Sequence, residues 1–166
     1  MSLFQLFKSS FTSPKKIAAF RLIPIGKVMQ YIFSYIFIMS IISFVFFING
    51  ISDQQQTMEG LLEYFAQIQW LLYPFSFLFL FVLNTLFIFV RISILAYIGS
   101  IILRIRNRKG EFRHIWRTAL FASTIPLLLS IIFAILQFSN NYIQLLIYIL
   151  SLVIITFATK YYPVKR

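Results

Sequence analysis

The chain has 166 residues, of which 60% are hydrophobic and 19% aromatic, with 21 Phe and 9 Tyr, while only 11% are charged. Soluble domains carry about a quarter charged residues, so this composition places the chain in a membrane. Fifteen Lys and Arg stand against four Asp and Glu, with one His and no Cys, which removes disulfide scaffolds, thiol nucleophiles and most metal sites and leaves catalysis poorly provisioned.

At the N-terminus Leu3, Phe4, Leu6, Phe7 and Phe11 recur close to a 3.6-residue period, the pattern of a short amphipathic helix lying on the inner leaflet. Ser13-Pro14 reads as a helix start, with Ser at the cap and Pro in the first turn, where a missing N–H costs nothing. A second surface helix is expected from Pro14 to about Leu22, ended by Pro24 and Gly26.

Val28 to Ser52 gives 25 residues between Lys27 and Asp53, ample for the roughly 20 that a bilayer crossing requires. This stretch is too long for the apolar region of a cleavable signal peptide and ends without a small-residue cleavage site, so it reads as a retained anchor. From Phe65 to Leu103 the only charge in 39 residues is Arg91, and this run fits one long helix or two crossings. Two crossings would put the basic segment Arg104 to Arg117 on the same side as the acidic loop Asp53 to Glu63. Basic loops stay inside, so one crossing is expected, at about 70–90. Ile92 to Leu103 then continues as a tilted extension or an interfacial segment, and Gly99 offers a point of kinking.

Thr118 to Phe138 supplies a third span of 21 residues with a kink expected at Pro126. Ser139-Asn140-Asn141 makes an external turn, and Tyr142 to Thr159 supplies a fourth span. The expectation is an all-α polytopic membrane protein with four transmembrane helices, at about 28–52, 70–90 with an extension to 103, 118–138 and 142–159. It forms a single membrane domain over 1–166, with a cytoplasmic interfacial segment at 1–27, a short external loop at 53–69 and a basic cytoplasmic loop at 104–117. Fourteen basic residues fall in the segments assigned inside and none in those assigned outside, so both termini are expected in the cytoplasm. The excess positive charge is a topology signal and needs no nucleic-acid partner.

Four groups of residues invite a functional reading. Arg91 could meet a lipid phosphate or simply snorkel to the interface. Arg104, Arg106, Arg108, Lys109, Arg113 and Arg117 form a cluster suited to anionic headgroups of the inner leaflet. Glu111 and His114, three apart, would share a helix face, but one such pair is not a metal site, and Glu111 is expected to pair with a neighbouring cation. Asn84, Thr85, Ser123, Thr124, Gln137, Gln144 and Thr156 are polar groups within or near the spans and are expected to make interhelical contacts; Ser123, Thr124 and Pro126 mark a kink or packing site.

The run Ser13-Pro14-Lys15-Lys16-Ile17-Ala18-Ala19-Phe20-Arg21, followed by Ile25-Gly26-Lys27, resembles the N-terminal signature of a Firmicute membrane-protein family, domain of unknown function 1189. Some members carry the label maltodextrin utilization protein. The resemblance continues through Phe112-Arg113-His114-Ile115-Trp116-Arg117-Thr118-Ala119-Leu120-Phe121-Ala122-Ser123-Thr124-Ile125-Pro126, a stretch also similar to the Yip-type membrane fold. It implies a Gram-positive plasma membrane and a link to sugar uptake, and it supplies no catalytic residues. The family carries a sizeable extracytoplasmic region between its first two spans, where this chain offers only Asp53 to Gln69.

The leading expectation is a non-catalytic protein with no cofactor or metal, acting as accessory or organising partner of another membrane complex and contacting anionic inner-leaflet lipid. The alternatives are a small-solute or ion permease acting as a homo-oligomer, with Arg91 and the Pro126 helix lining the path, and an immunity-type membrane protein.

Overall fold

The computed structural model describes residues 14–55, 62–136 and 141–164. Regular structure there is helical, apart from one isolated antiparallel bridge between Arg108 and Val164. Six α-helices follow one another: α1 Pro14–Ala19, α2 Ile25–Gln55, α3 Leu62–Ile105, α4 Phe112–Ala122, α5 Thr124–Ile135 and α6 Asn141–Thr159, with a 3-10 turn at Phe20–Leu22 after α1. Four stretches are long and apolar enough to cross a membrane: Ile25–Gly50, Trp70–Ile105, Phe112–Phe133 and Asn141–Thr159. The amphipathic helix expected over residues 3–11 and the turn residues Ser139 and Asn140 lie outside the described residues.

The boundaries differ from expectation in ways that have physical reasons. Pro24 alone ends the N-terminal helical segment, and Gly26 sits inside the first turn of α2, where the Pro24 carbonyl accepts from the N–H groups of Lys27 and Val28. The helix expected at the surface over Pro14 to Leu22 also buries one face, through Ile17, Ala18 and Phe20. Helix α3 runs unbroken for 44 residues, about 66 Å at 1.5 Å per residue, and neither Pro74 nor Gly99 interrupts it. Its last part buries Ile92, Leu95, Ala96 and Leu103, a helical stripe facing protein. The loop expected over 104–117 shrinks to 106–111, because Ile115, Thr118 and Ala119 give 112–122 a buried helical face. The third span breaks at Ser123, not at Pro126. Pro126 has no N–H for the Ala122 carbonyl and its ring crowds that carbonyl, so the discontinuity falls near there, three residues before the proline. Ser123 Oγ closes the end of α4 by donating to the Ala119 carbonyl at 2.7 Å.

The chain divides into two compact units, one holding the described residues up to Tyr31 and from Val90 onward, the other Ile32–Phe89. In the larger unit α1 and the 3-10 turn pack on α4, α1 also meets α6, and α6 packs on α4 and α5. Its centre is Phe121, fully buried, with Phe20 and Tyr31 rings 4.6 and 5.1 Å away. Tyr31 Oη and Thr124 Oγ1 share a hydrogen bond of 3.1 Å.

In the smaller unit the facing segments of α2 and α3 are antiparallel and meet through rings. Phe44 stands edge-on to Phe77 and Tyr73 at 5.5 and 6.3 Å, Phe37 edge-on to Phe77 at 6.3 Å, and Phe33 meets Phe89 at 6.3 Å. A polar contact also joins the helices, Asn84 Nδ2 donating to Ser43 Oγ at 3.2 Å and to Ser40 Oγ at 3.4 Å.

Candidate functional site

The end of α3 determines where the basic residues of the following loop go. Asn107 takes the left-handed conformation, φ 51°, which Asn tolerates better than most residues. The Asn107 N–H bonds the Arg104 carbonyl and the Arg108 N–H the Leu103 carbonyl, the paired bonds that stop a helix and reverse the chain. The chain then runs beside the segment after α6, with the Lys109 N–H donating to the Pro163 carbonyl at 2.8 Å. Gly110 completes the loop where space is least: a Cβ there would lie 2.5 Å from Leu103 Cδ1 and 3.0 Å from the Tyr162 ring.

Three of the arginines in the cluster are committed to backbone carbonyls. Arg106 Nη1 donates to the Thr156 carbonyl at 2.8 Å and to Thr159 Oγ1 at 3.3 Å, and Arg108 Nη1 donates to the Tyr162 carbonyl at 2.7 Å. Arg117 Nη1 donates to the carbonyls of Arg21 and Ile23 at 3.0 and 2.9 Å. Carbonyls at helix ends lack intrahelical partners and carry the negative end of the dipole, so a guanidinium suits them. Arg113 pairs with Glu111, as expected for that acid, and the pair is largely exposed. Arg91 lies apart from the cluster, its guanidinium 4.4 Å from the centre of the Tyr148 ring.

What remains is a cleft of about 510 Å³ at the ends of the spans, lined by Arg21, Arg104, Arg108, Lys109, His114 and Tyr162 among others. Arg21 stacks over the Tyr162 ring at 4.9 Å, and its Nη1 is buried with no acceptor among the described residues. The Tyr162 hydroxyl shares a 2.6 Å hydrogen bond with Thr118 Oγ1 and donates to the His114 carbonyl at 3.2 Å. Burial pushes the Tyr162 hydroxyl above the usual tyrosine pKa, partly opposed by the Thr118 bond and the Arg21 charge, so it stays neutral and acts as a structural donor. Among the described residues Glu111 is the one acid lining the cleft.

Of the residues singled out in the sequence, the cleft gathers Arg104, Arg108 and Lys109. Arg91, Arg106, Arg113 and Arg117 do not line it. Glu111 and His114 both border it, but Glu111 is the residue before α4, in extended conformation, so the shared helix face does not form. Ser123, Thr124 and Pro126 are buried packing residues of the larger unit. Asn84 and Thr124 bond between helices, while Thr85 and Thr156 bond carbonyls of their own helices; Gln137 lies outside the described residues. Sequence reasoning missed Arg21, Tyr162 and Gly110 as parts of one site, because they come from three distant segments. The local signal was Asn107 followed by Gly110, a helix stop and a tight loop.

A family model with the description "Protein of unknown function (DUF1189)" matches residues 48–159, which include α3 to α6 and, of the basic residues lining the cleft, all but Arg21. No curated protein and no solved structure matches the chain.

Proposed function

The chain belongs to the DUF1189 family, and with that as premise we propose that it is a non-catalytic, four-span protein of a Gram-positive plasma membrane that organises or assists another membrane complex. Both termini lie in the cytoplasm in this reading, because the basic segments cluster at one side. Sugar uptake is the process that the family resemblance implies for the partner.

One observation carries the reading, the uneven cover of the spans. The most apolar stretch of Phe112–Phe133 is 61% buried, whereas those of Ile25–Gly50 and Trp70–Ile105 are 22% and 17% buried. Helices that use so little of their surface within the chain present long apolar faces to lipid and to neighbouring proteins. The use of Arg106, Arg108 and Arg117 as clamps on backbone carbonyls supports a scaffold more than a reaction centre.

Affinity isolation of the tagged protein from its native membrane in mild detergent, followed by mass spectrometry, tests it. A reproducible membrane-protein partner is expected; recovery of the chain with itself and lipid alone would sink the reading. Orientation is checked separately by single-cysteine labelling, which is clean because the chain has no Cys. Cys at Gln55 or Ser139 should react with an impermeant reagent and Cys at Asn107 should not. External labelling at position 107 would overturn the assigned sidedness.

A further inference from the structure

The cleft between the 3-10 turn, the 106–111 loop and the first turn of α4 concentrates positive charge that the described residues do not neutralise. Arg21, Arg104, Arg108 and Lys109 line it from three segments, with His114 beside them. Its one acid, Glu111, is paired with Arg113. Arg108 is held by the Tyr162 carbonyl, but Arg21 Nη1 is buried with no acceptor among the described residues. Leaving a charged donor buried and unpaired is costly, and bringing like charges together adds to that cost unless an anion lies between them.

We propose that this cleft binds a phosphate group carried by a small anionic molecule. Phosphate fits for three reasons. Its oxygens point in tetrahedral directions and can accept from donors on several sides, whereas a carboxylate offers two oxygens in one plane. Arginine forks pair well with phosphate oxygens, and the cleft offers Arg104 together with Arg21, whose guanidinium stacks on Tyr162 while its Nη1 has no acceptor among the described residues. The first turn of α4 borders the cleft, contains no acidic side chain, and has no side-chain cap bond from Glu111, so the positive end of the helix dipole adds to the same field.

The volume, about 510 Å³, lies within the roughly 300–1,000 Å³ of small-molecule sites. It is large enough for a headgroup or a compact phosphoester. Leu22, which lines the cleft, and Ile105 and Phe112, next in the chain to the lining residues Arg104 and Glu111, are exposed apolar side chains, as suits a site opening at the level of lipid headgroups. The phosphate therefore has two sources of the same chemistry, a phospholipid headgroup or a soluble phosphoester. The inference rests on the membrane placement of the four spans and not on the partner reading, so an unsuccessful partner isolation leaves it standing.

The test uses the full chain in phosphatidylcholine nanodiscs. In one arm the discs are doped with phosphatidylglycerol and its retention on the protein is read by native mass spectrometry. In the other, inorganic phosphate and glycerol phosphate are titrated and broadening of their phosphorus resonances is followed. The double variant R104Q/K109Q removes two cleft cations at exposed positions that the fold does not need. The double variant K15Q/K160Q removes two exposed charges that do not line the cleft. Wild type is expected to bind in at least one arm, R104Q/K109Q to lose at least about tenfold in affinity, and K15Q/K160Q to stay within about twofold. Binding in the first arm alone assigns a lipid headgroup, and binding in the second assigns a soluble phosphoester. No binding in either arm, or equal losses in the two double variants, overturns the proposal.

Discussion

In the hairpin of Ile32–Phe89 the helices meet at the tips of rings, Phe44 against Phe77 and Tyr73 and Phe33 against Phe89. Around Gly99 the spacing is of another kind: a Cβ added there would lie 2.9 Å from Ile115 Cγ2 and 3.1 Å from Ile155 Cγ2. Large side chains hold helix axes apart and can repack, whereas small residues let backbones approach and leave no slack. The polar chemistry divides the same way. The smaller unit spends Asn84 on two serines of the facing helix, while the larger ties helix ends together with Arg106, Arg108 and Arg117. A close-packed, clamped region suits a fixed recognition surface. A ring-packed hairpin suits a surface that adapts to lipid or to another protein.

The sharpest way to break this contrast is Gly99→Leu. The side chain would have to displace Ile115 and Ile155, both fully buried, and overpacking of this kind costs about 1–3 kcal/mol or more. Thermal or detergent-induced unfolding should show the largest loss of the set, whereas Phe87→Ala, at a position 68% exposed, should lie within about 0.5 kcal/mol of wild type. Equal effects at the two sites would mean that the close approach at Gly99 has no energetic weight.

Next in size is Arg117→Gln. It removes the donor to two carbonyls, those of Arg21 and Ile23, and loosens the 3-10 turn that carries Phe20 against Phe121. A charged donor to carbonyls is worth about 1.5–3 kcal/mol, and the lower end applies here because Arg117 is only part-buried. Limited proteolysis near Leu22 should accelerate in the variant; an unchanged cleavage rate would argue against the clamp. Phe77→Leu in the hairpin should cost less, about 1 kcal/mol, since it loses ring-edge geometry with Phe37 and Phe44 but keeps an apolar side chain. A larger loss for Phe77→Leu than for Arg117→Gln would reverse the ranking of the two regions.

The spans were legible in the sequence because bilayer crossing demands uninterrupted apolar length, and that property is local. Their ends were less so. Arg113, His114 and Arg117 made 112–117 look like loop, yet Ile115 and Thr118 supply a buried helical face that only becomes decisive once α6 lies beside it. Pro126 suggested a kink at its own position, but the ring acts on the carbonyl four residues earlier, and the discontinuity falls at Ser123. The basic cluster was visible as charge and not as geometry. Which arginines face a cleft and which hold carbonyls depends on where the chain after α6 returns, and nothing within 104–117 encodes the position of Tyr162 or Arg21.

The smallest expected effect concerns Tyr162, where the packing of the clamped region becomes a pH dependence. Burial raises the folded-state pKa of its hydroxyl above the usual value of about 10. Above that pH the unfolded chain gives up the proton while the folded chain retains it, so the folded state binds more protons there. Stability from this group is complete below about pH 10 and is lost as pH rises through the folded pKa. At neutral pH Tyr162→Phe removes the hydroxyl's bonds to Thr118 and to the His114 carbonyl, but Thr118 still donates to that carbonyl at 3.1 Å, so the cost should be about 0.5 kcal/mol. Other tyrosines and the lysines titrate in the same range, so the informative quantity is the stability difference between wild type and Tyr162→Phe. That difference should narrow as pH is raised from about 8 to above 10, and parallel profiles would mean that the hydroxyl is not held neutral by the fold.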